Sequence, residues 1–294
     1  MTDMASPIGR SRSRTHDYME LAKTRLVSLV LLSTGVGFFL GSFGRFDWLL
    51  FLSAVSGTAL VAAGSMVLNQ WMERVEDARM TRTAARPLPA GRMHSAEAFI
   101  FGVILFVSGL AVLLITTNPV TAFLAALTFA SYLILYTPLK SKTSLCTIVG
   151  AVPGALPPLI GWAAAAGKPS FEAWILFAIL FLWQMPHFLA IAWMYRKEYA
   201  AAGFKMLSVT DPSGVQVSRQ ILIYSLALLP VSLLPTVVHL NGIFYFLSAL
   251  ILGIYYIRLA IESLDHLDQK ARQLFRASII YLALLLVMMV IDKV

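Results

Sequence analysis

The sequence predicts an all-α polytopic membrane protein, a single bundle of about nine transmembrane helices. Of its 294 residues, 59% are hydrophobic and 13% are charged, whereas soluble domains carry roughly 25% charged residues. No charged side chain occurs within residues 98–139 or within residues 220–257. Each of these runs is longer than the roughly 20 residues that a helix needs to cross a bilayer core.

The apolar runs divide the chain into nine predicted spans, and polar or charged connections separate them. The spans cover residues 24–43, 48–72, 96–116, 119–137, 146–166, 171–195, 219–238, 242–261 and 274–291. Residues 1–23 are polar and rich in arginine and lack a small-residue cleavage site. We therefore expect residues 1–23 to be a cytoplasmic tail and residues 24–294 to be one intramembrane domain.

The basic residues alternate between the connections. The N-terminus and every second connection hold 20 of the 23 lysines and arginines, whereas the other side holds Arg45, Lys168 and Lys293. The positive-inside rule then places the N-terminus in the cytoplasm and the C-terminus outside, in what we expect to be a bacterial inner membrane. The net charge of +8 thus reflects topology and does not indicate a nucleic-acid partner.

A polar strip ends the second predicted span, where Asn69, Glu73 and Asp77 recur every four positions. On a helix this spacing places all three side chains on one face. Carboxylates at this depth are costly unless a cation meets them, and a divalent cation carrying a diphosphate suits them. The alternative is a helix end with ordinary surface pairs, which the position of Asn69 inside the apolar run disfavours.

Basic residues near the cytoplasmic ends of other spans could contact the same ligand. Arg86 lies in the stiff Arg-Pro-Leu-Pro turn, and Lys140 ends a charge-free span. Arginine forks match phosphate oxygens, but topology and contacts with anionic lipids also explain such residues. Glu198, which follows Arg196 and Lys197 after span six, is the best acidic partner for the polar strip or else part of a solvated loop.

Span six contains the run Trp183-Gln184-Met185-Pro186-His187-Phe188. A proline inside a membrane helix frees a backbone carbonyl and commonly lines a cavity. Polar Gln184 and His187 inside this span are functional candidates, and the alternative is that they hydrogen-bond to neighbouring helices.

Taken together, these motifs resemble the UbiA superfamily of intramembrane prenyltransferases. The likeness rests on the Asn69–Glu73–Asp77 strip followed by the Arg-Pro-Leu-Pro-Ala-Gly-Arg run of residues 86–92. The stretches 136–162 and 183–188 are most similar to the branch of the superfamily that modifies haem.

The resemblance implies a reaction and a set of partners. A farnesyl group would pass from farnesyl diphosphate to a vinyl group of protohaem IX, with addition of water, to give haem O for terminal oxidases. The cofactor would be Mg²⁺, and partners would include the lipid bilayer and a haem A synthase or terminal-oxidase assembly proteins. The implied roles are metal binding and catalysis by Asn69, Glu73, Asp77 and Glu198, diphosphate or propionate contact by Arg86, Lys140 and Arg196, and a haem pocket with Trp183, Gln184 and His187. The role of His187, as an acid, a donor to a propionate or an iron ligand, stays open.

Two alternative functions remain. The chain could be a UbiA-type enzyme that prenylates a quinone precursor or another ring acceptor. It could also be a non-enzymatic transport or oxidase-assembly protein. A transporter would be expected to show broken helices in two repeated halves, and no such repeat is visible. A scaffold would not require Asn69 in line with Glu73 and Asp77.

Overall fold

The structure is a computed structural model that describes residues 13–44 and 46–294. Within these residues the chain is almost entirely helical and forms no strand, which confirms the predicted all-α class. An isolated antiparallel bridge joins Asn241 to Lys293. Arg10, Arg12 and Arg45, which contributed to the topology prediction, lie outside the described residues.

The described residues form fourteen α-helices and one π-helical segment. They are α1 (Arg14–Leu21), α2 (Thr24–Gly41), α3 (Trp48–Met72), α4 (Arg74–Ala78), α5 (Ser95–Thr116), α6 (Pro119–Ala130), a π-helical segment (Ser131–Tyr136), α7 (Thr137–Leu139), α8 (Cys146–Ala155), α9 (Pro157–Ala166), α10 (Phe171–Met194), α11 (Arg196–Ala201), α12 (Leu207–Thr210), α13 (Val215–Val237) and α14 (Ile243–Ile291). The short helix α4 lies in the long connection between α3 and α5, and α11 and α12 lie in the long connection between α10 and α13.

Eight helical segments of the described chain are long and apolar enough to cross a membrane. The first seven agree with predicted spans to within four residues. They are Thr24–Gly41, Trp48–Met72, Ser95–Thr116, Pro119–Leu139, Cys146–Ala166, Phe171–Met194 and Val215–Val237. The eighth, Ile243–Ile291, contains both of the last two predicted spans, so the count of nine is not confirmed.

Helix α14 folds back on itself. Its 49 residues would extend about 74 Å if straight, more than twice the roughly 30 Å of a bilayer core. The backbone leaves helical geometry at His266, with φ −132° and ψ 43°. Near its two ends, the Gly242 amide donates to the Asp292 carbonyl at 2.9 Å and the Asn241 side chain donates to the Met289 carbonyl at 2.8 Å. The two halves therefore lie side by side.

Small residues bring α3 and α5 into backbone contact. A Cβ atom added to Gly64 of α3 would lie 2.8 Å from the Gly102 carbonyl oxygen of α5, and one added to Gly109 would lie 2.7 Å from the Gly57 carbonyl oxygen. Glycines at these crossings permit the close approach that stabilises membrane helices in lipid. Since α3 carries Asn69 near its end, this interface sets the position of the polar strip.

Part of the predicted N-terminal tail is folded onto the bundle. Helix α1 is capped by the Ser13 hydroxyl, which accepts from the His16 amide. Leu21 at its end is fully buried, and its carbonyl accepts a 2.7 Å hydrogen bond from the Gln70 side chain of α3. Arg92 pairs with Asp17 of α1 at 2.8 Å. These contacts place Lys23, the second residue after α1, beside the polar strip.

Candidate active site

The backbone holds the three residues of the polar strip on one side of the chain. Helix α3 ends at Met72, yet the Glu73 amide donates to the Asn69 carbonyl at 2.9 Å and the Asp77 amide donates to the Glu73 carbonyl at 2.8 Å. These i→i+4 bonds continue the helical path into α4, as the four-residue spacing predicts. The side chains are buried, with exposed fractions of 2% for Asn69, 7% for Glu73 and 1% for Asp77.

Each carboxylate of the strip meets a basic side chain. The Arg86 guanidinium lies 2.6 Å from Asp77 Oδ2. The Lys140 ammonium lies 2.7 Å from Glu73 Oε1 and donates a hydrogen bond to Oε2 at 3.0 Å. Two of the three basic residues inferred from the sequence therefore lie on the acidic strip.

Asn69 is held by two polar groups. Its amide nitrogen donates to the Thr137 hydroxyl at 3.2 Å, and its Oδ1 accepts from the Lys23 ammonium at 3.4 Å. Lys23 lies between α1 and α2 with a left-handed backbone, φ 46°. In the sequence, Lys23 indicates only the topology. No local signal relates it to Asn69, because the contact depends on the docking of α1.

Basic side chains outnumber carboxylates among the described residues of this cluster, where Lys23, Arg86 and Lys140 lie around Glu73 and Asp77. Burial, together with the nearby charges of Arg86 and Lys140, lowers the pKa of Lys23 to about 7. A group of cations in a poorly solvated site is stabilised by an anionic ligand. The cluster thus has the electrostatic character of an anion site that lies directly on a pair of carboxylates.

The donor atoms of the strip fit a hard divalent cation. Two carboxylates and one amide oxygen are oxygen ligands of the kind that Mg²⁺ accepts together with phosphate oxygens. Glu73 Oε1 is in ion-pair contact with Lys140, but it is buried and receives no properly directed hydrogen bond from any residue that the structure describes. This oxygen therefore keeps lone pairs available for a metal.

Glu198 is not brought to the strip. Its Oε2 accepts from the Arg82 backbone amide at 3.1 Å, and Arg82 stacks on the Tyr195 ring at 4.6 Å. Across residues 13–44 and 46–294, no three or more His, Cys, Asp or Glu residues are grouped so that they could hold a metal ion. The carboxylate instead ties α11 to the connection that follows α4.

Arg196 also lies with other partners. Its guanidinium pairs with Asp268 of α14 at 3.0 Å and stacks over the Trp193 ring at 4.2 Å. The structure records no contact between Arg196 and the carboxylates of the strip. Of the three predicted diphosphate contacts, Arg196 is thus the one that the fold directs to a different element.

The predicted haem-pocket residues lie on two faces of α10. The Trp183 indole donates to the Ser278 carbonyl at 2.7 Å, and His187 Nδ1 lies 2.6 Å from the Ser278 hydroxyl. The two rings stack with centroids 5.0 Å apart. Gln184 points instead to α8, where its amide donates to the Ala151 carbonyl at 2.6 Å. These are the interhelical hydrogen bonds considered above as the alternative.

Comparison with known proteins gives a consistent result. A model of the UbiA prenyltransferase family matches residues 30–286. The chain is 46% identical to the protoheme IX farnesyltransferase of Solibacter usitatus, over 94% of this chain and 98% of that protein. It is 43% identical to the protoheme IX farnesyltransferase of Opitutus terrae, over 96% of both. The chain belongs to the UbiA prenyltransferase family.

Solved structures show the same fold at low sequence identity. A digeranylgeranylglyceryl phosphate synthase superposes with a TM-score of 0.80 at 20% identity, over 95% of this chain and 98% of that chain. A UbiA homologue from Archaeoglobus fulgidus, bound to GPP and Mg²⁺, superposes with a TM-score of 0.68 at 14% identity, over 93% and 99%. The helical arrangement described above is therefore that of intramembrane prenyltransferases.

Proposed function

We propose that this chain transfers the farnesyl group of farnesyl diphosphate to a vinyl group of protohaem IX, with addition of water, and so produces haem O. The observation that carries the proposal is the buried Asn69–Glu73–Asp77 strip with its three cations. Relatives that share 46% and 43% identity over nearly the whole chain, both protoheme IX farnesyltransferases, support the choice of substrates.

The basic side chains and the carboxylates have different proposed roles in binding the diphosphate. We place the leaving diphosphate against Lys23, Arg86 and Lys140, whose positive charges stabilise the negative charge that develops as the C–O bond of farnesyl diphosphate breaks. Asn69, Glu73 and Asp77 would hold Mg²⁺, which supplies Lewis-acid stabilisation of the same charge. Glu198 would join the metal site, and Arg196 the diphosphate, after a rearrangement. That rearrangement would free Glu198 from Arg82 and Arg196 from Asp268.

The remaining steps need an apolar, water-poor interior. The farnesyl carbon that loses the diphosphate forms a C–C bond with the terminal vinyl carbon of protohaem. Water then adds its oxygen to the resulting porphyrin-stabilised cation and releases a proton. The buried helices around the strip exclude water until the C–C bond has formed.

We propose the partly buried, stacked Trp183–His187 pair as a flat surface for the porphyrin ring. Gln184 would act on the same pocket indirectly, because its hydrogen bond to Ala151 holds α8 against α10. His187 is already bonded through Nδ1 to Ser278, which leaves Nε2 for a haem propionate or iron.

The topology belongs to the same proposal. We infer that the polar strip and the N-terminus face the cytoplasm of a bacterial cell, that the C-terminus lies outside, and that the membrane is the inner one. The distribution of 20 of the 23 basic residues on one side supports this orientation. A haem A synthase or oxidase-assembly protein remains the expected partner for the product.

The reaction can be tested in cells that lack their own haem O synthase. We expect haem extracted from cells that express the wild-type chain to contain a species heavier than haem B by one farnesyl and one hydroxyl group, measured by mass spectrometry. We expect Asp77→Asn to abolish this product, because it removes a carboxylate charge from the metal and diphosphate site.

The matched control is Glu76→Gln, which changes the neighbouring carboxylate that makes no ion pair within the described residues. This variant should retain the product. Unmodified haem in cells that contain abundant, folded wild-type protein would disprove the haem assignment and lead to tests of aromatic-acid and quinone acceptors.

A further inference from the structure

An open cavity that the proposed reaction does not use lies between the two halves of α14. Its volume is about 360 Å³. Leu252, Tyr255 and Tyr256 line it from the first half, and Gln273, Arg276 and Ile280 are among the residues that line it from the second. None of its lining residues belongs to α3 or to the connection that carries Arg86, so the cavity is separate from the polar strip. We call it the α14 groove.

The α14 groove opens onto the outer surface of the bundle. Tyr255 is 54% exposed and Ile280 is 56% exposed, and Arg276 is exposed as well. In a membrane protein, exposed apolar side chains on a spanning helix face lipid. The occupant of the groove therefore arrives from the bilayer.

The depth of the groove follows from the break in α14. Tyr256 and Arg276 each lie ten residues from His266, or about 15 Å along the helix. The predicted spans on either side of that break end at residue 261 and begin at residue 274. If His266 lies on the cytoplasmic side, as the proposed topology requires, the groove lies where cytoplasmic headgroups meet acyl chains.

Two polar groups of the groove, Tyr256 and Arg276, lack well-placed partners in the part of the chain that the structure describes. Tyr256 is only 1% exposed, yet among the described residues its hydroxyl makes no hydrogen bond of good geometry. Ser278 lies near it, but the Ser278 hydroxyl already donates to the Phe275 carbonyl and contacts His187. Arg276 forms no ion pair with any residue that the structure describes. An unpaired buried hydroxyl costs free energy, so a ligand with acceptor oxygens is favoured here.

We propose that the α14 groove binds one anionic phospholipid of the cytoplasmic leaflet. The Arg276 guanidinium matches the phosphate oxygens, and the Tyr256 hydroxyl donates to a phosphate or ester oxygen. The apolar side chains of Leu252 and Ile280 contact the acyl chains. Basic pockets between helices on the cytoplasmic side are typical sites for anionic headgroups.

The test uses the purified full-length chain in detergent and native mass spectrometry. The probes are phosphatidylglycerol and phosphatidylcholine with identical acyl chains. We expect one phosphatidylglycerol to be retained in preference to phosphatidylcholine. Arg276→Gln should weaken that retention about fivefold, and Tyr256→Phe should weaken it about twofold to threefold. Arg219→Gln, the matched control, alters an exposed arginine outside the groove and should have no effect.

Three outcomes would overturn the proposal. The first is equal retention of the two lipids by the wild type. The second is unchanged retention of phosphatidylglycerol in both groove variants while both remain folded. The third is that Arg276→Gln loses haem binding, measured by absorbance, while its lipid retention is unchanged. That result would assign the groove to haem. The assay measures lipid retention and not haem product. A failure of the proposed farnesyl transfer would therefore not change the lipid result, and the two proposals can fail separately.

Discussion

At the scale of single residues, the main feature of this protein is how its buried charges are paired. Glu73 and Asp77 would be costly at their depth without Lys140 and Arg86, because a buried charge without a partner is strongly destabilising. Both pairs leave room for a ligand to bind. The Lys140 and Arg86 side chains can donate to phosphate oxygens as well as to carboxylates. Lys23 adds a third basic side chain, which donates to the neutral Asn69.

Lys23 gives the sharpest prediction at this scale. We expect Lys23→Met to weaken binding of farnesyl thiolodiphosphate, a non-reactive analogue, by roughly 10- to 100-fold, because a charge-assisted hydrogen bond is worth about 1.5–3 kcal/mol. The measurement is isothermal titration calorimetry on the purified protein with Mg²⁺ and without haem.

Arg25→Met serves as the matched control, since Arg25 lies two residues away and is exposed. It should leave the affinity unchanged. Equal affinities of the wild type and Lys23→Met would show that Lys23 acts only in folding or topology.

At the scale of elements, the start of α13 shows how a connection fixes a helix. Asp211 Oδ2 accepts from the Gln216 amide at 2.7 Å and from the Val217 amide at 3.0 Å. These are donors of the first turn, which have no partner within the helix. The cap therefore joins the long connection after α10 to the spanning helix α13.

This cap predicts a dependence of stability on pH. Burial acts to raise the pKa of Asp211, but hydrogen bonds from Ser213, Val217 and Gln216 outweigh it, so that the pKa is lowered. A lowered carboxyl pKa stabilises the fold at pH values above the unfolded pKa of about 3.9. That contribution disappears as the pH falls through the folded-state pKa.

We expect Asp211→Asn to lose about 0.5–2 kcal/mol of stability at pH 7, and the difference from wild type to shrink as the pH falls below about 4. The measurement is thermal unfolding in detergent between pH 7 and pH 3. Asp265→Asn, at an exposed carboxylate, is the control and should match the wild type throughout. A difference for Asp211→Asn that does not change with pH would rule out the carboxylate as the cap.

At the scale of the whole molecule, the C-terminus joins helices that are distant in sequence. The Lys293 ammonium donates to the Phe39 carbonyl at 2.7 Å and to the Ser42 carbonyl at 2.8 Å, at the end of α2. The Phe39 carbonyl also accepts from the amide of the cap residue Ser42 at 3.3 Å, so Lys293 adds a charged donor to a helix end whose carbonyls are poorly satisfied within the helix. Helix α14 is thereby tied to α2.

We expect Lys293→Met to lower the free energy of unfolding of the purified protein by about 1–3 kcal/mol, because two carbonyls lose a charged donor. The change is measured as a lower temperature of thermal unfolding. Lys168→Met, a change at an exposed lysine of the same predicted side, should have little effect. If the two variants unfolded at the same temperature, the tie between α14 and α2 would contribute nothing to stability.

The sequence alone determined the all-α class, seven spans to within a few residues, the family, and the alignment of Asn69, Glu73 and Asp77. These properties depend on local quantities, namely the length of apolar runs and the 3.6-residue period of the helix. The positions of motif residues along one helix are set by the same period. These features do not depend on how distant parts of the chain pack.

Only the tertiary structure decided which charges meet. Lys140 and Arg86 reach the acidic strip, whereas Arg196 pairs with Asp268 and Glu198 binds the Arg82 amide. Lys23 joins the strip because α1 docks on α3. In each case the partners are between 9 and 116 residues apart, and all these basic side chains look alike in sequence. Their choice of partner depends on how whole helices pack, which local periodicity does not encode.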